Sequence, residues 1–338
     1  MKIIECVPNF SEGRDKKVFD AIAESVKGIS DVKLLSLEPD GDYNRVVVTL
    51  AGGQKGILDA ALSMTRTASE MIDMTKHKGE HPRMGATDVV PFVPVRNVTM
   101  EECAALARAY GEKISAELNV PVYLYEEAAS KPERKNLATV RKGEYEGLEA
   151  KLKDPEWLPD FGAPVFNPKL GAIITGARFF LVAYNVNLRT MDLSVSKDIA
   201  EMVRESGRNK KDEAGNVIKV NGKPVKEPGL LKSVKGMGVS LEKYGITQVS
   251  MNLTNYNLTG IHTAFETVKK LASNYGVEVS GSEIVGLVPL EALSRAGKFY
   301  AGEKDLSELD LIKIASDTLG LEDLYEVNYK EKIIDYLI

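Results

Sequence analysis

The sequence predicts an α+β fold: two tandem ferredoxin-like (βαββαβ) subdomains with a ligand crevice between them. Three observations carry this. Hydrophobic spacing alternates between a period of two and a period of three to four residues in the order β-α-β-β-α-β, and the order occurs twice. At 338 residues the chain is long enough for two cores. Its 43% apolar and 28% charged content is that of a folded globular protein and argues against disorder.

In the first half, residues 2–7 read as a short buried strand closed by Pro8-Asn9-Phe10-Ser11-Glu12-Gly13. Val18, Ile22 and Val26 fall four apart, giving a helix over 15–29 that stops at Gly28. Two β-branched runs, 32–37 and 44–50, flank the turn residues Pro39-Asp40-Gly41-Asp42 and read as a hairpin. A long helix over 55–74 carries the stripe Ile57, Ala61, Met64, Ala68, Met71 and Ile72. A strand over 89–95 completes the pattern, and a helix (100–118) and a strand (122–125) extend it. Residues 128–168 are charged, proline-punctuated and weakly periodic, an excursion with local helices.

In the second half the expected elements are a continuous strand over 178–186, a helix over 194–204, strands over 230–241 and 247–253, a helix over 261–274 and a closing strand over 278–288. Lys210 to Pro224, with its Asn221-Gly222 turn signal, reads as an exposed hairpin insertion. The subdomains are placed at 1–177 and 178–326, with 327–338 as a tail.

A net charge of −5 gives no overall basic signature of nucleic-acid binding. Two distant cysteines, Cys6 and Cys103, fit a reduced, cytoplasmic protein. The expectation is no signal peptide, and no apolar run reaches membrane-spanning length.

The chemistry concentrates at His77-Lys78-Gly79-Glu80-His81-Pro82-Arg83-Met84-Gly85-Ala86-Thr87-Asp88, which holds two of the chain's three histidines. The window spells the zinc pattern H-x-x-E-H, which requires both histidines on one continuous helix. Gly79 interrupts such a helix and Pro82 turns His81 away from helical angles, so no metal is expected. His77, following a helix, reads as its C-terminal cap. His81, held in a glycine- and proline-bounded bend, is the better acid-base candidate. Gly171-Ala172-Ile173-Ile174-Thr175-Gly176-Ala177-Arg178 opens the second unit; its small residues allow backbone to approach a flat ligand, and Arg178 is suited to a carboxylate. Asn185, Asn187, Asn252, Asn255 and Asn257 are either ligand donors or turn residues. His262, at a helix start, reads as structural.

Glu5 to Gly13, His77 to Pro94, Val120 to Tyr125, Gly171 to Arg178 and Val285 to Leu290 together resemble the glutamate formimidoyltransferase, or formiminotransferase, family over nearly the whole chain. That resemblance implies folate bound between two ferredoxin-like subdomains. It implies transfer of a formimino group from N-formimino-L-glutamate to N5 of tetrahydrofolate, in histidine degradation. Tetrahydrofolate is then co-substrate, and a homodimer is a family expectation. A chain ending at Ile338 implies the form without a cyclodeaminase domain. His81 matches the family's catalytic histidine, a general base toward N5 and then a general acid toward the leaving nitrogen. The acidic partner aligns with Glu38 through Asn44-Arg45, with Asp40 as competitor. The folate segment carries over to Gly171, Ala172, Ile173, Ile174, Thr175, Gly176, Ala177, Arg178, Phe179 and Phe180. Asn9, Arg45 and Arg83 are candidates for holding the anionic substrates. Alternatives are formyl transfer from N-formylglutamate, a 5-formyltetrahydrofolate cyclo-ligase-like activity, and a folate carrier without chemistry.

Overall fold

The computed structural model describes residues 2–80, 82–210, 212 and 215–338. The chain divides into two compact units, Met1–Arg178 and Phe179–Leu337.

The first unit begins with β1 (Ile3–Cys6) and its short continuation β2 (Asn9–Phe10). Helix α1 (Lys16–Glu24) follows, capped by the Asp15 carboxylate on the Lys17 N–H. Next come β3 (Val32–Asp40), β4 (Arg45–Gly52), α2 (Gln54–Met71) and β5 (Thr87–Arg96). Across the sheet these lie in the order β3, β4, β1/β2, β5, every neighbour antiparallel. Helix α3 (Met100–Leu118) starts in a capping box between Thr99 and Glu102 and leads to β6 (Val122–Glu126). After the short helices α4 (Leu137–Arg141) and α5 (Leu148–Leu152), β7 (Ile173–Ala177) enters in parallel between β5 and β6.

One face of this sheet is buried under α1, α2 and α3, with Phe10, Val46, Val48, Val90 and Phe92 packed on Ile22, Ile57, Met64 and Tyr110. On the other face, α4 and α5 place Val140, Leu148 and Leu152 over Val89, Ile174, Tyr123 and Tyr125. Beneath them Arg134, almost wholly buried, meets Asp160 at 2.7 Å and lies over the rings of Tyr123 and Trp157.

The second unit contains β8 (Val182–Leu188) and α6 (Leu193–Val203), followed by the small strands β9 (Arg208–Asn209), β10 (Lys219–Val220), β11 (Lys223–Pro224) and β12 (Lys226–Glu227). It continues with β13 (Val234–Leu241), β14 (Ile246–Leu253), α7 (Ile261–Asn274) and β15 (Val279–Val285). The four long strands run β13, β14, β8, β15, again with antiparallel neighbours throughout. The insertion is a hairpin: β10 and β11 pair across Asn221 and Gly222, both in the left-handed region as a two-residue turn requires. Helices α8 (Leu290–Ala301) and α9 (Glu308–Leu319) pack on each other. Residues 327–338, expected as a tail, form α10 (Tyr329–Lys332) and a final turn, with Ile333 and Ile334 fully buried.

Three expectations are corrected. The segment at 171–178 does not open the second unit, because Ile173–Ala177 is an inner strand of the first sheet. The run 178–186 is not one strand: Arg178 to Leu181 breaks it, and pairing resumes at Val182 in the other unit's sheet. Continuous apolarity hid the change of sheet, since a strand buried on both faces looks the same in either. Strand β13 also starts later than expected, at Val234, after a turn in which Ser233 is left-handed.

Candidate functional site

Strand register brings several of the sequence candidates to one face. Asn9 lies opposite Val47, Val47 opposite Glu38, and Arg45 opposite Asp40. Side chains alternate along a strand, so Asn9, Glu38, Asp40 and Arg45 share the face opposite the buried Phe10 and Val46. The pairing of β2 with β5 skips one residue: Asn9 meets Val89 and Phe10 meets Thr87, leaving Asp88 as the bulged residue. A bulge re-aims a side chain, and the Asp88 carboxylate reaches Arg141 of α4, also accepting the Met84 N–H at 2.9 Å. Burial holds its pKa above the usual range, against the opposing pull of Arg141.

The two acidic candidates differ. Asp40 Oδ1 accepts the N–H groups of Asp42 (3.0 Å) and Tyr43 (2.9 Å), so it shapes the β3–β4 turn. Glu38 is exposed, and among the described residues its carboxylate has no hydrogen-bond or ion-pair partner. Asn9 Nδ2 donates to the Val7 carbonyl at 3.0 Å.

The histidine loop is tied to that hairpin. Asn44, left-handed at φ 49°, accepts from the Gly13 N–H at 3.0 Å and donates to the Lys78 carbonyl at 2.9 Å. Arg14 spans the same gap, donating to the carbonyls of Gly41 (2.7 Å) and Lys78 (3.1 Å). His77 does not cap a helix, because α2 ends six residues earlier, at Met71. Its Nε2 lies 2.9 Å from the Asn44 carbonyl, and its Nδ1 accepts from Arg83 Nε at 3.3 Å. Burial, with the Arg83 charge, lowers its pKa despite the bond to Asn44. Arg83 is itself buried: it forks onto Glu146 at 2.6 and 3.0 Å and reaches Glu144 at 3.3 Å. His81 lies outside the described residues.

The segment at 171–180 is placed by its own neighbours. Gly171, at φ +68°, passes so close to the other chain segment that a Cβ there would sit 2.1 Å from the Met84 carbonyl oxygen. At Gly176 the nearest atom would be the Tyr125 carbonyl oxygen, at 2.3 Å. The small residues therefore admit the histidine loop and β6. Thr175 Oγ1 donates to the Val90 carbonyl, and the Arg178 N–H to that of Phe92. The Arg178 charge acts on three buried groups, Glu5, Cys6 and Tyr125; burial raises the Glu5 carboxyl to about 7 even so.

Sequence reasoning missed Arg141, Glu144 and Glu146, which lie in the weakly periodic excursion, more than fifty residues from their partners. In the second unit, Asn185 and Asn187 join an internal network with Gln248, Glu283 and Asp323. Asn255 is a turn residue accepting from the Asn257 N–H. His262 stacks on Phe299 at 4.6 Å. No helix among the described residues is long and apolar enough to cross a membrane.

The family model described as the formiminotransferase domain, N-terminal subdomain, matches residues 3–178, and the model described as the formiminotransferase domain matches residues 183–338. The chain belongs to the formiminotransferase family. Among formiminotransferase relatives, it is 47% identical over 340 residues to a formimidoyltransferase-cyclodeaminase of Dictyostelium discoideum, covering 100% of this chain and 60% of that protein. It thus spans about three-fifths of the length of the first curated relatives it matches. It is 43% identical to a glutamate formimidoyltransferase of Streptococcus pyogenes serotype M1, over 90% of this chain and 95% of that protein. For a protein of the same name from Thermoplasma acidophilum the identity is 44%, over 89% of this chain and 92% of that protein.

Proposed function

We propose that this formiminotransferase-family chain moves a formimino group from N-formimino-L-glutamate to N5 of tetrahydrofolate, releasing L-glutamate. The observation that carries the reading is the chain's 43–44% identity to glutamate formimidoyltransferases along almost their full length. We also infer that both units are ferredoxin-like, which their shared strand order supports.

In this mechanism the N5 amine attacks the amidine carbon, and a tetrahedral intermediate expels the glutamate nitrogen. His81 takes the N5 proton and returns it to the leaving nitrogen, the task of a group titrating near neutrality. Glu38 is the acidic partner of the cationic formimino carbon. Among the described residues its exposed carboxylate has no partner, whereas Asp40 is occupied in its turn. The ties from Asn44, Arg14 and His77 hold His77 and Lys78 against the Glu38 hairpin. The folate segment from Gly171 to Phe180 acts through β7 and Arg178, and the acting form is a homodimer.

Steady-state transfer assays with purified protein, formiminoglutamate and tetrahydrofolate test this, with N-formylglutamate as the comparison donor. His81→Ala should lower kcat about 10²–10⁴-fold, the usual scale for one acid-base group. Glu38→Gln should reduce it more than Asp40→Asn at equal folded fraction. Near-normal turnover in His81→Ala would remove His81 from its role.

A further inference from the structure

We propose that Arg45 and Arg141 together receive a glutamyl carboxylate, with the bulged Asp88 holding Arg141 in place. The proposal deepens the transferase reading above and rests on it for the identity of the ligand.

Two guanidinium groups here carry buried donors that no acceptor among the described residues meets. Arg141 pairs with Asp88, which is almost wholly buried, and the charge of Arg45 reaches the same carboxylate. Of the two guanidinium groups, only that of Arg141 pairs with Asp88. Among the described residues Arg45 has no ion pair; its guanidinium lies over the exposed Tyr43 ring at 5.7 Å. Its Nε–H is buried without an acceptor, and so is that of Arg141. Arg83 provides the contrast, since its Nε and both terminal nitrogens are taken by His77, Glu144 and Glu146.

Buried donors without acceptors are costly, and native proteins seldom keep them without a reason. Both here are forked cations, whose preferred partner is a planar carboxylate bound through two parallel N–H···O bonds. The location also fits. Arg45 shares its sheet face with Glu38, and Asp88 closes the segment that carries His81. A carboxylate bound here would give both Nε–H groups an acceptor without disturbing the Asp88 pair. Two sources supply this chemistry, the glutamyl part of the donor and the glutamate tail of the folate.

The test uses Arg45→Gln, Arg141→Gln and the double variant D88N/R141Q, which leaves no unpaired buried charge if Arg141→Gln alone misfolds. KM is measured separately for formiminoglutamate and tetrahydrofolate. Each variant should raise one KM about ten- to hundredfold, the scale of a hydrogen-bonded charge pair, with a smaller change in kcat. Arg141→Lys should recover part of the loss. A rise confined to formiminoglutamate assigns the donor, and a rise confined to tetrahydrofolate assigns the tail. Both KM values unchanged in folded Arg45→Gln and D88N/R141Q would overturn the proposal. If wild-type protein transfers nothing from any donor, the transferase reading fails on its own. Calorimetric titration of L-glutamate and folate then decides the arginine pair: binding lost in the variants upholds it, and binding unchanged or absent in the wild type overturns it.

Discussion

Nε–H of Arg83 donates to Nδ1 of His77 across 3.3 Å, which leaves the imidazole proton on Nε2, where the Asn44 carbonyl accepts it at 2.9 Å. The arrangement selects the neutral ring, and burial depresses the pKa in the same sense. Below the unfolded value of 6.5 the unfolded chain binds the additional proton. The stability His77 provides is therefore complete above pH 6.5 and is lost as pH falls through its lower folded value. His77→Gln keeps a donor for Asn44 and an acceptor for Arg83 but does not titrate. The stability gap between wild type and His77→Gln, read by urea denaturation at several pH values, should change below pH 6.5; parallel profiles would refute the assignment.

Glu5 has the opposite sign. Its folded pKa, raised by burial to about 7 from 4.5, means that protonation favours the folded state. Its contribution is fully present below pH 4.5 and is lost as pH rises through 7. Glu5→Gln should therefore stabilise the protein at pH 8, by about 3 kcal/mol at most, and have little effect at pH 4. Thermal melts at the two pH values check this, and an equal shift at both would rule it out.

Arg134 has the buried Asp160 at 2.7 Å and the Leu158 carbonyl at 2.6 Å. Removing one side of such a pair strands a buried charge. Arg134→Ala should cost about 3–5 kcal/mol in urea denaturation, whereas Lys153→Ala, which removes an exposed pair with Glu149 at the end of α5, should cost less than about 1 kcal/mol. Similar costs for the two would show that Asp160 is relieved in another way.

Gly176 cannot accept a side chain without moving β6, because the Cβ would meet the Tyr125 carbonyl oxygen. Gly276→Ala serves as the control, with a left-handed glycine that has open space around its Cβ position. Gly176→Ala should be the more destabilising by about 1–3 kcal/mol, the usual cost of overpacking. Hydrogen exchange should locate the loosening at β6 and β7. Loss of protection spread evenly over the unit would argue against a local clash.

Periodicity made the helices and most strands legible, because α1, α2 and α3 each carry an apolar stripe at helical spacing. It failed where that signal vanishes. Ile173 to Val186 is apolar almost throughout, so nothing local separates β7 from β8. The histidine loop stood out through its turn chemistry, and Asn44-Arg45 only through the family resemblance. Arg141, Glu144 and Glu146 did not, since an ion pair between distant segments has no characteristic spacing. The bulge at Asp88 was equally hidden: it is a property of the pairing with β2 and not of β5 alone.

Strand β7 fills the gap between β5 and β6, and neither of those pairs with the other. A growing chain that has left the ribosome only as far as residue 168 would therefore carry two finished strands flanking an empty lane. The last few residues of the unit are the ones that join its halves. Joining β6 to the rest of this sheet must wait for nearly all of the unit to be synthesised, and a fragment cut just short of Gly171 would leave β5 and β6 with unpaired edges in place of one continuous sheet.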